Sequence, residues 1–411
     1  MRVADSLAAL RERQFRLLFT GQLISLVGDS FATIALAFAV LDLTGSATDL
    51  GVVLAAKTIP LVVFLLAGGV FADRLSRRLV MLTADLARLS SQGAVAALVL
   101  THTGTVWEIA ALQVVAGSAT AFFNPASTGL TPLTIRADLL QQANALRGLS
   151  MSVASLCGLA AGGAFVTLIG PGWALAVDSA SFGASAFFLA RLQLPAQVHL
   201  PPQSFLRDLR EGWIEFSSRT WVWTIVVAAS VGNALTSVFV VLCAYVAKTA
   251  LGGAAAYTII LGGISVGSLL GGVVALHVRV RRPLFLGSSL LGLVALPIAL
   301  LALRAPTLVI AAGGMGLGAS SMIFNALWET SLQQHVPMAA LSRVSAYDWF
   351  GSLAFSPLGL IVAGPAAAAF GTNATLWAAA VGSLVVAAAA LAPASVRTLE
   401  SATAAPLSPA S

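Results

Sequence analysis

Two related stretches, GGVFADRLSRR at residues 68–78 and GGVVALHVRVRR at residues 271–282, decide the architecture of this 411-residue chain. In each, a long apolar run ends in Gly-Gly and a cluster of arginines follows. Arginine and lysine accumulate in the cytoplasmic loops of membrane proteins, so both stretches mark the cytoplasmic end of a membrane span. The recurrence of this pattern therefore predicts that the chain has two similar halves, which enter the membrane from the same side.

Other matched positions extend this internal repeat. The pair Gly28-Asp29 returns as Gly232-Asn233, 204 residues later. A glycine followed by Phe-Asn also recurs 201 residues later, and its members are Gly117 with Phe123-Asn124, and Gly318 with Phe324-Asn325. Three matches in order at nearly one offset predict parallel repeats related by an axis along the membrane normal.

The composition indicates a protein that is embedded in a lipid bilayer. Hydrophobic residues make up 58% of the chain, charged residues 9%, and the mean hydropathy is +0.93. A span needs about 20 mostly apolar residues, and a chain in lipid must be helical to satisfy its backbone. Twelve such stretches occur, at 16–41, 49–72, 79–101, 107–130, 144–169, 172–193, 221–247, 254–277, 284–303, 307–329, 344–366 and 374–394. The fold class is an all-α integral membrane protein of about twelve transmembrane helices in two six-helix repeats.

These stretches define five segments of the chain. We expect a cytoplasmic N-terminal segment, an N-terminal six-helix bundle, a cytoplasmic linker with an amphipathic helix, a C-terminal six-helix bundle and a disordered cytoplasmic tail. Their bounds are 1–15, 16–193, 194–220, 221–394 and 395–411.

The net charge of +6 reflects membrane topology and does not indicate nucleic-acid binding. All but four of the 22 lysines and arginines fall in segments that are cytoplasmic if the N-terminus is cytoplasmic; the exceptions are Lys57, Arg88, Lys248 and Arg304. This bias predicts cytoplasmic termini. The two cysteines lie inside spans without metal-ligand spacing, so we expect no metal and no cofactor.

The loop after the second span resembles the G-x-x-x-D-R-x-G-R-R signature of the major facilitator superfamily, with Ser76 in place of the second glycine. Its matching residues are Gly69, Asp73, Arg74, Arg77 and Arg78. The resemblance implies a gating loop that latches one half to the other as the protein alternates in access. It also implies a monomer in the bacterial inner (plasma) membrane.

Other segments resemble the drug-exporter branch that contains macrolide-efflux proteins and siderophore exporters. They are 27–30, 85–88, 124–126, 143–146 and Asp178. Two departures distinguish the chain from the proton antiporters of a neighbouring branch. Gln113 stands where those proteins often have an arginine, and 158–163 lacks their proline. Their proton relay cannot be transferred residue by residue.

Ionisable residues within spans are costly and usually mark function. Asp29 lies near the middle of the first span, where a carboxylate can bind and release a proton or contact the substrate; the alternative is a hydrogen bond to a neighbouring helix. Asp85 and Arg88 lie three residues apart and favour a structural or gating ion pair. Lys57 requires an acidic partner, and Asp178 is interpreted as a packing residue near the external end of its span.

The repeat brings Asp29, Asn233, Asn124 and Asn325 to matching positions in the helices that line the central cavity of the superfamily. With Trp328 as an apolar surface, these residues are candidates for substrate contact or proton coupling. For each asparagine, the alternative is an interhelical hydrogen bond.

The leading hypothesis is secondary active efflux of hydrophobic or amphipathic small molecules by proton antiport, since an apolar cavity with few polar groups suits such cargo. The alternatives are a dedicated exporter of one metabolite, such as a siderophore or natural product, and a non-transporting receptor. The sequence contains neither HExxH nor GxxxxGK[ST], so it does not predict a zinc protease or an ATP-driven pump, and we expect no enzyme.

Overall fold

The computed structural model describes residues 8–74, 76–136, 139–193, 205–278 and 280–401; at 65–74 and 205–209 it describes the backbone alone. Across these residues the chain is helical, and no strand occurs in them. The prediction of an all-α membrane protein is confirmed.

The chain divides into two compact units, Met1–Pro202 with Cys243–Thr258, and Gln203–Leu242 with Ile259–Ser411. Among its described residues, the first unit contains a 3-10 turn at Ala8–Arg11, which is followed by six long helices. They are α1 (Arg13–Thr44), α2 (Ala47–Arg74), α3 (Arg77–Leu100), α4 (Val106–Leu130), α5 (Leu140–Leu168) and α6 (Pro171–Ala190).

Ten further helices follow in the described chain, and several of them are short or interrupted. They are α7 (Phe205–Ser217), α8 (Thr220–Val246), α9 (Ala254–His277), α10 (Pro283–Leu290), α11 (Ala295–Ala302), α12 (Thr307–His335), α13 (Met338–Leu353), α14 (Ser356–Phe370), α15 (Thr372–Ala390) and α16 (Ala394–Thr398). A 3-10 turn, Leu291–Val294, joins α10 to α11, so one span is made of two half-helices.

Eleven segments of the described chain are long and apolar enough to cross a membrane. The stretch predicted at 79–101 is not among them. It forms α3, which at 24 residues is long enough for a span. Polar residues that include Asp85, Arg88 and Gln92 lower its hydropathy, and all three side chains are buried against the other helices of the first unit.

Close helix crossings repeat in the two units. A Cβ added to Gly117 on α4 would lie 1.9 Å from the carbonyl oxygen of Lys57 on α2. At the matching position on α12, a Cβ added to Gly318 would lie 2.0 Å from the carbonyl oxygen of Ile264 on α9. Helix association in lipid depends on such close packing, because lipid supplies no hydrophobic driving force between helices.

The segment Cys243–Thr258 belongs to the first unit, although the sequence analysis placed it in the C-terminal bundle. It includes the end of α8 and a π-helical turn at Ala247–Leu251. Lys248 Nζ lies 2.6 Å from Asp42 Oδ1 on the last turn of α1, and the rings of Phe38 and Tyr257 are 6.0 Å apart.

All three non-membrane segments fall partly outside the described residues. Of the N-terminal segment expected at 1–15, residues 1–7 lie outside. Of the linker expected at 194–220, residues 194–204 lie outside; the remainder forms α7, whose Phe216 is buried, with its ring 5.7 Å from that of Tyr347. Of the tail expected to be disordered at 395–411, residues 402–411 lie outside. Its beginning differs from that expectation, because α16 is helical, Val396 is buried and Glu400 pairs with Arg281 at 3.0 Å.

The crossing of α2 and α4 generates the first prediction. Leucine at Gly117 would have to displace the backbone of α2, and overpacking of this kind costs about 1–3 kcal/mol or more. We therefore expect Gly117→Leu to lower the yield of monodisperse protein and its melting temperature in detergent, measured by fluorescence-detected size-exclusion chromatography.

The matched control is Gly232→Ala on α8, where an added Cβ would meet nothing within 4 Å. Since alanine is the better helix former, this variant should retain wild-type yield. Wild-type behaviour of Gly117→Leu would show that the crossing is not tightly packed.

Candidate functional site

A chain of buried polar side chains crosses the first unit. Asp178 on α6 is fully buried, and its Oδ2 accepts a hydrogen bond of 2.9 Å from Gln92 Nε2 on α3. Gln92 Oε1 in turn accepts a hydrogen bond of 2.9 Å from Gln113 Nε2 on α4. Asp178 was interpreted from the sequence as a packing residue, whereas the structure makes it the end of a three-helix polar chain.

Asp85 and Arg88 form an ion pair on α3, one turn nearer the arginine-rich end of the helix. Both residues are buried, and the Arg88 guanidinium lies between two phenyl rings, 4.1 Å from the centroid of Phe123 and 4.4 Å from that of Phe182. A guanidinium over an aromatic face is stabilised by the ring quadrupole, so this cation is held by a carboxylate and two rings.

Asp29 is half-buried at the middle of α1, close to this group. A Cβ on the preceding Gly28 would lie 3.1 Å from Asp178 Oδ1, so Asp178 touches α1 next to Asp29. Asp178 interacts electrostatically with Asp29, with Lys57 of α2 and with Arg88. Four of the predicted intramembrane charges therefore lie around one position in the first unit.

The predicted asparagines occupy different environments. Asn233 donates a hydrogen bond of 2.9 Å to the carbonyl oxygen of Ser352, which is the interhelical bond offered as its alternative role. Asn124 and Asn325 are exposed. The structure brings none of these three into the polar chain of Asp178.

Trp328 is buried in the second unit and donates a hydrogen bond of 2.9 Å from Nε1 to Asp348 Oδ2. Ser352 Oγ donates to the other carboxylate oxygen at 3.2 Å. Sequence reasoning missed Asp348, although an acidic residue within the stretch predicted at 344–366 carries the same signal as Asp29. Gln92 was also missed, because the sequence analysis considered only those amides that match between the repeats or lie at a position of a related motif.

The gating loop is described in part. Gly69, Asp73 and Arg74 lie where the structure describes the backbone alone. Arg77 Nη1 donates to the carbonyl oxygen of Gly129 at 2.6 Å, and Arg78 Nε donates to that of Leu189 at 2.9 Å. These carbonyls lie in the last turns of α4 and α6, where a helix favours cations, so both arginines brace helix ends within the first unit.

Comparison with known proteins assigns the chain to a family. The family described as transmembrane secretion effector, a branch of the major facilitator superfamily, matches residues 4–410. The chain belongs to this family. The resemblance inferred from the loop and the repeat is therefore confirmed, and the protein is a multi-pass membrane transporter of small molecules and not an enzyme.

Several relatives are named as efflux proteins. The chain is 30% identical over 374 residues to the multidrug efflux pump Tap of Mycolicibacterium fortuitum, covering 85% of this chain and 88% of that protein. It is 27% identical over 207 residues to macrolide efflux protein A of Streptococcus pyogenes, covering 48% of this chain and 50% of that protein.

Solved structures share the fold at low identity. A crystal structure of the nucleoside transporter NupG has a TM-score of 0.74 at 15% identity and covers 92% of this chain and 99% of its own. A bacterial homologue of the human lysosomal transporter Spinster has a TM-score of 0.70 at 16% identity, with 93% and 96% covered.

The ion pair on α3 generates the second prediction. Arg88→Leu leaves the buried carboxylate of Asp85 without its cation, and breaking a buried pair in this way costs about 3–5 kcal/mol. We expect a large fall in melting temperature and in membrane-inserted yield, measured by thermal unfolding in detergent and by immunoblot.

Arg191→Leu is the control for the loss of an arginine over a ring. Arg191 is exposed, and its guanidinium lies 4.5 Å from the centroid of Phe187. It should unfold close to the wild-type temperature. Equal stability of both variants would contradict a structural role for the Asp85–Arg88 pair.

Proposed function

We propose that this transporter exports hydrophobic or amphipathic small molecules of the drug and antibiotic type, in exchange for protons and by alternating access. The observation that carries the proposal is the similarity to Tap, which extends over 85% of the chain and 88% of a protein named as a multidrug efflux pump. The similarity to a macrolide efflux protein supports the same class of cargo.

Buried ionisable groups support coupling to protons. Carboxylates and their partners within membrane spans form proton relays in pumps and transporters. The first unit of the described chain holds Asp29, Lys57, Asp85, Arg88 and Asp178 within its helices. The half-buried Asp29 is the member best placed to exchange a proton with water or to meet a cargo.

The orientation and surroundings complete the proposal. Arginines at the junction of α2 and α3, and again before α10, favour a cytoplasmic location for both termini in a bacterial inner membrane. We propose a monomeric protein that meets its cargo and protons within the lipid bilayer. Asn124, Asn325 and Trp328 remain candidates for cargo contact, with Asn233 as a helix-bridging residue.

A cell assay tests this function. Pump-deficient cells expressing the wild type, Asp29→Asn or Glu108→Gln would be loaded with ethidium, with and without a protonophore. We expect the wild type and Glu108→Gln to lower dye accumulation, and we expect the protonophore and Asp29→Asn each to restore the level of empty cells.

Glu108 is a suitable control because it is an exposed carboxylate at the start of α4, where it completes a capping box with Thr105. Glutamine can serve the same cap. Export that persists in Asp29→Asn would remove Asp29 from coupling. Accumulation equal to that of empty cells, with the wild type verified in the membrane, would instead favour a dedicated exporter of one metabolite.

A further inference from the structure

Asp178 on α6 and Asp85 on α3 are both buried carboxylates, but they differ in the group that balances the negative charge. Asp85 has Arg88 as its ion-pair partner. None of the ion pairs among the described residues includes Asp178, although its side chain is fully buried. Gln92 donates to Oδ2, and Oδ1 is buried without a hydrogen-bond partner.

An unpartnered buried oxygen is costly on an ionised carboxylate and much less so on a protonated one. Burial without donors disfavours the charged form, because a neutral carboxylic acid loses much less solvation on leaving water than a carboxylate does. The environment of Oδ1 therefore favours a proton on that atom. The amide of Gln92 holds the carboxyl group in place through the other oxygen without adding a positive charge.

The surrounding charges are nearly balanced. Asp178 meets Asp29 on α1, Lys57 on α2 and Arg88 on α3 at electrostatic range, and Asp85 on α3 also interacts with Asp29. Helix α5 also packs on α6, but its only charged residue, Arg147, donates to Ser127 at 3.0 Å near the opposite end of the unit. Two carboxylates on adjoining helices repel each other when both are ionised.

Access to α1 depends on the small size of Gly28. A Cβ at this position would lie 2.1 Å from Ser181 Oγ and 3.1 Å from Asp178 Oδ1. The matching Gly232 of the second unit has nothing within 4 Å of such a Cβ. The close approach of a carboxyl oxygen to the backbone beside Asp29 is therefore a feature of the first unit and not of the repeat.

We propose that Asp178 carries the transported proton on Oδ1 and exchanges it with Asp29, while the amides of Gln92 and Gln113 position its carboxyl group. Cargo binding breaks the O–H bond of Asp178, and the proton leaves by way of the Asp29 carboxylate to water on the cytoplasmic side. The O–H bond forms again with a proton from the opposite side. This inference rests on the proposed proton antiport and names the residue that performs it.

The nature of residue 113 accords with this role. An arginine at position 113, at the far end of the hydrogen-bonded series from Asp178, would place a fixed cation near Asp178 and favour its ionised form. Gln113 instead supplies a neutral donor. A neutral chain of amides leaves the carboxyl group free to gain and lose a proton. Gln113 thus belongs, through Gln92, with the carboxyl group of Asp178 on α6.

Substrate-evoked proton release tests the proposal directly. Purified wild type, Asp178→Asn and Glu108→Gln in detergent and weak buffer would each receive ethidium while the pH is recorded, and dye binding would be measured from mildly acidic to mildly alkaline pH. We expect the wild type and Glu108→Gln to release protons and to bind dye more tightly as the pH rises. Asp178→Asn should bind dye with an affinity independent of pH and release none.

The outcomes separate this inference from the function on which it rests. Proton release by Asp178→Asn equal to that of the wild type overturns the role of Asp178 and leaves proton antiport intact. Dye binding by the wild type without proton release overturns both.

A labelling experiment on the wild type applies if Asp178→Asn does not fold. Dicyclohexylcarbodiimide is lipophilic and reacts with protonated carboxyl groups, so we expect mass spectrometry to find its adduct at Asp178. The adduct should decrease on adding ethidium and at alkaline pH. A pattern in which Asp178 is unlabelled, or is labelled regardless of pH and dye, would overturn the proposal.

Discussion

A charge within a lipid bilayer must be stabilised by the protein itself, and the first unit is built around this requirement. Insertion of a single Asp, Lys or Arg at the centre of a membrane helix costs about 2.5–3.5 kcal/mol. The guanidinium of Arg88 meets a carboxylate and two phenyl rings, and the carboxyl group of Asp178 accepts a hydrogen bond from the amide of Gln92 on a neighbouring helix. The polar residues lower the hydropathy of α3, and burial within the unit keeps them from lipid.

The two repeats share their packing more closely than their chemistry. Gly117 and Gly318 allow equivalent helix pairs to approach to backbone contact, which satisfies the need for close packing in both units. The polar contents differ, because the first unit buries a chain of side chains around Asp178, while the second holds Asp348 between Trp328 and Ser352. A common backbone therefore carries different buried polar groups in the two units.

Hydropathy predicted the helical class, matched positions such as Gly117 and Gly318 predicted the repeat, and the loop signature predicted the family. All three are properties of the chain read in order. The stretch at 79–101 was predicted as a span. Its polar residues keep the helix that it forms out of the eleven described helices that are apolar enough to cross a membrane. The polar chain was beyond prediction, since Gln92 and Asp178 are 86 residues apart and meet only when α3 packs on α6. Gln113 was noticed as a departure from a pattern, but its partner lies on another helix.

The segment Cys243–Thr258 has a consequence for the synthesis of the protein. Contacts such as the Phe38–Tyr257 ring pair and the Lys248–Asp42 ion pair join this segment to α1, although some 200 residues of chain separate them. A ribosome that has delivered α1 to α6 into the membrane has not yet delivered the whole first unit, because its last piece begins within α8 and ends within α9. The order in which the segments are made therefore differs from the order in which the unit is completed.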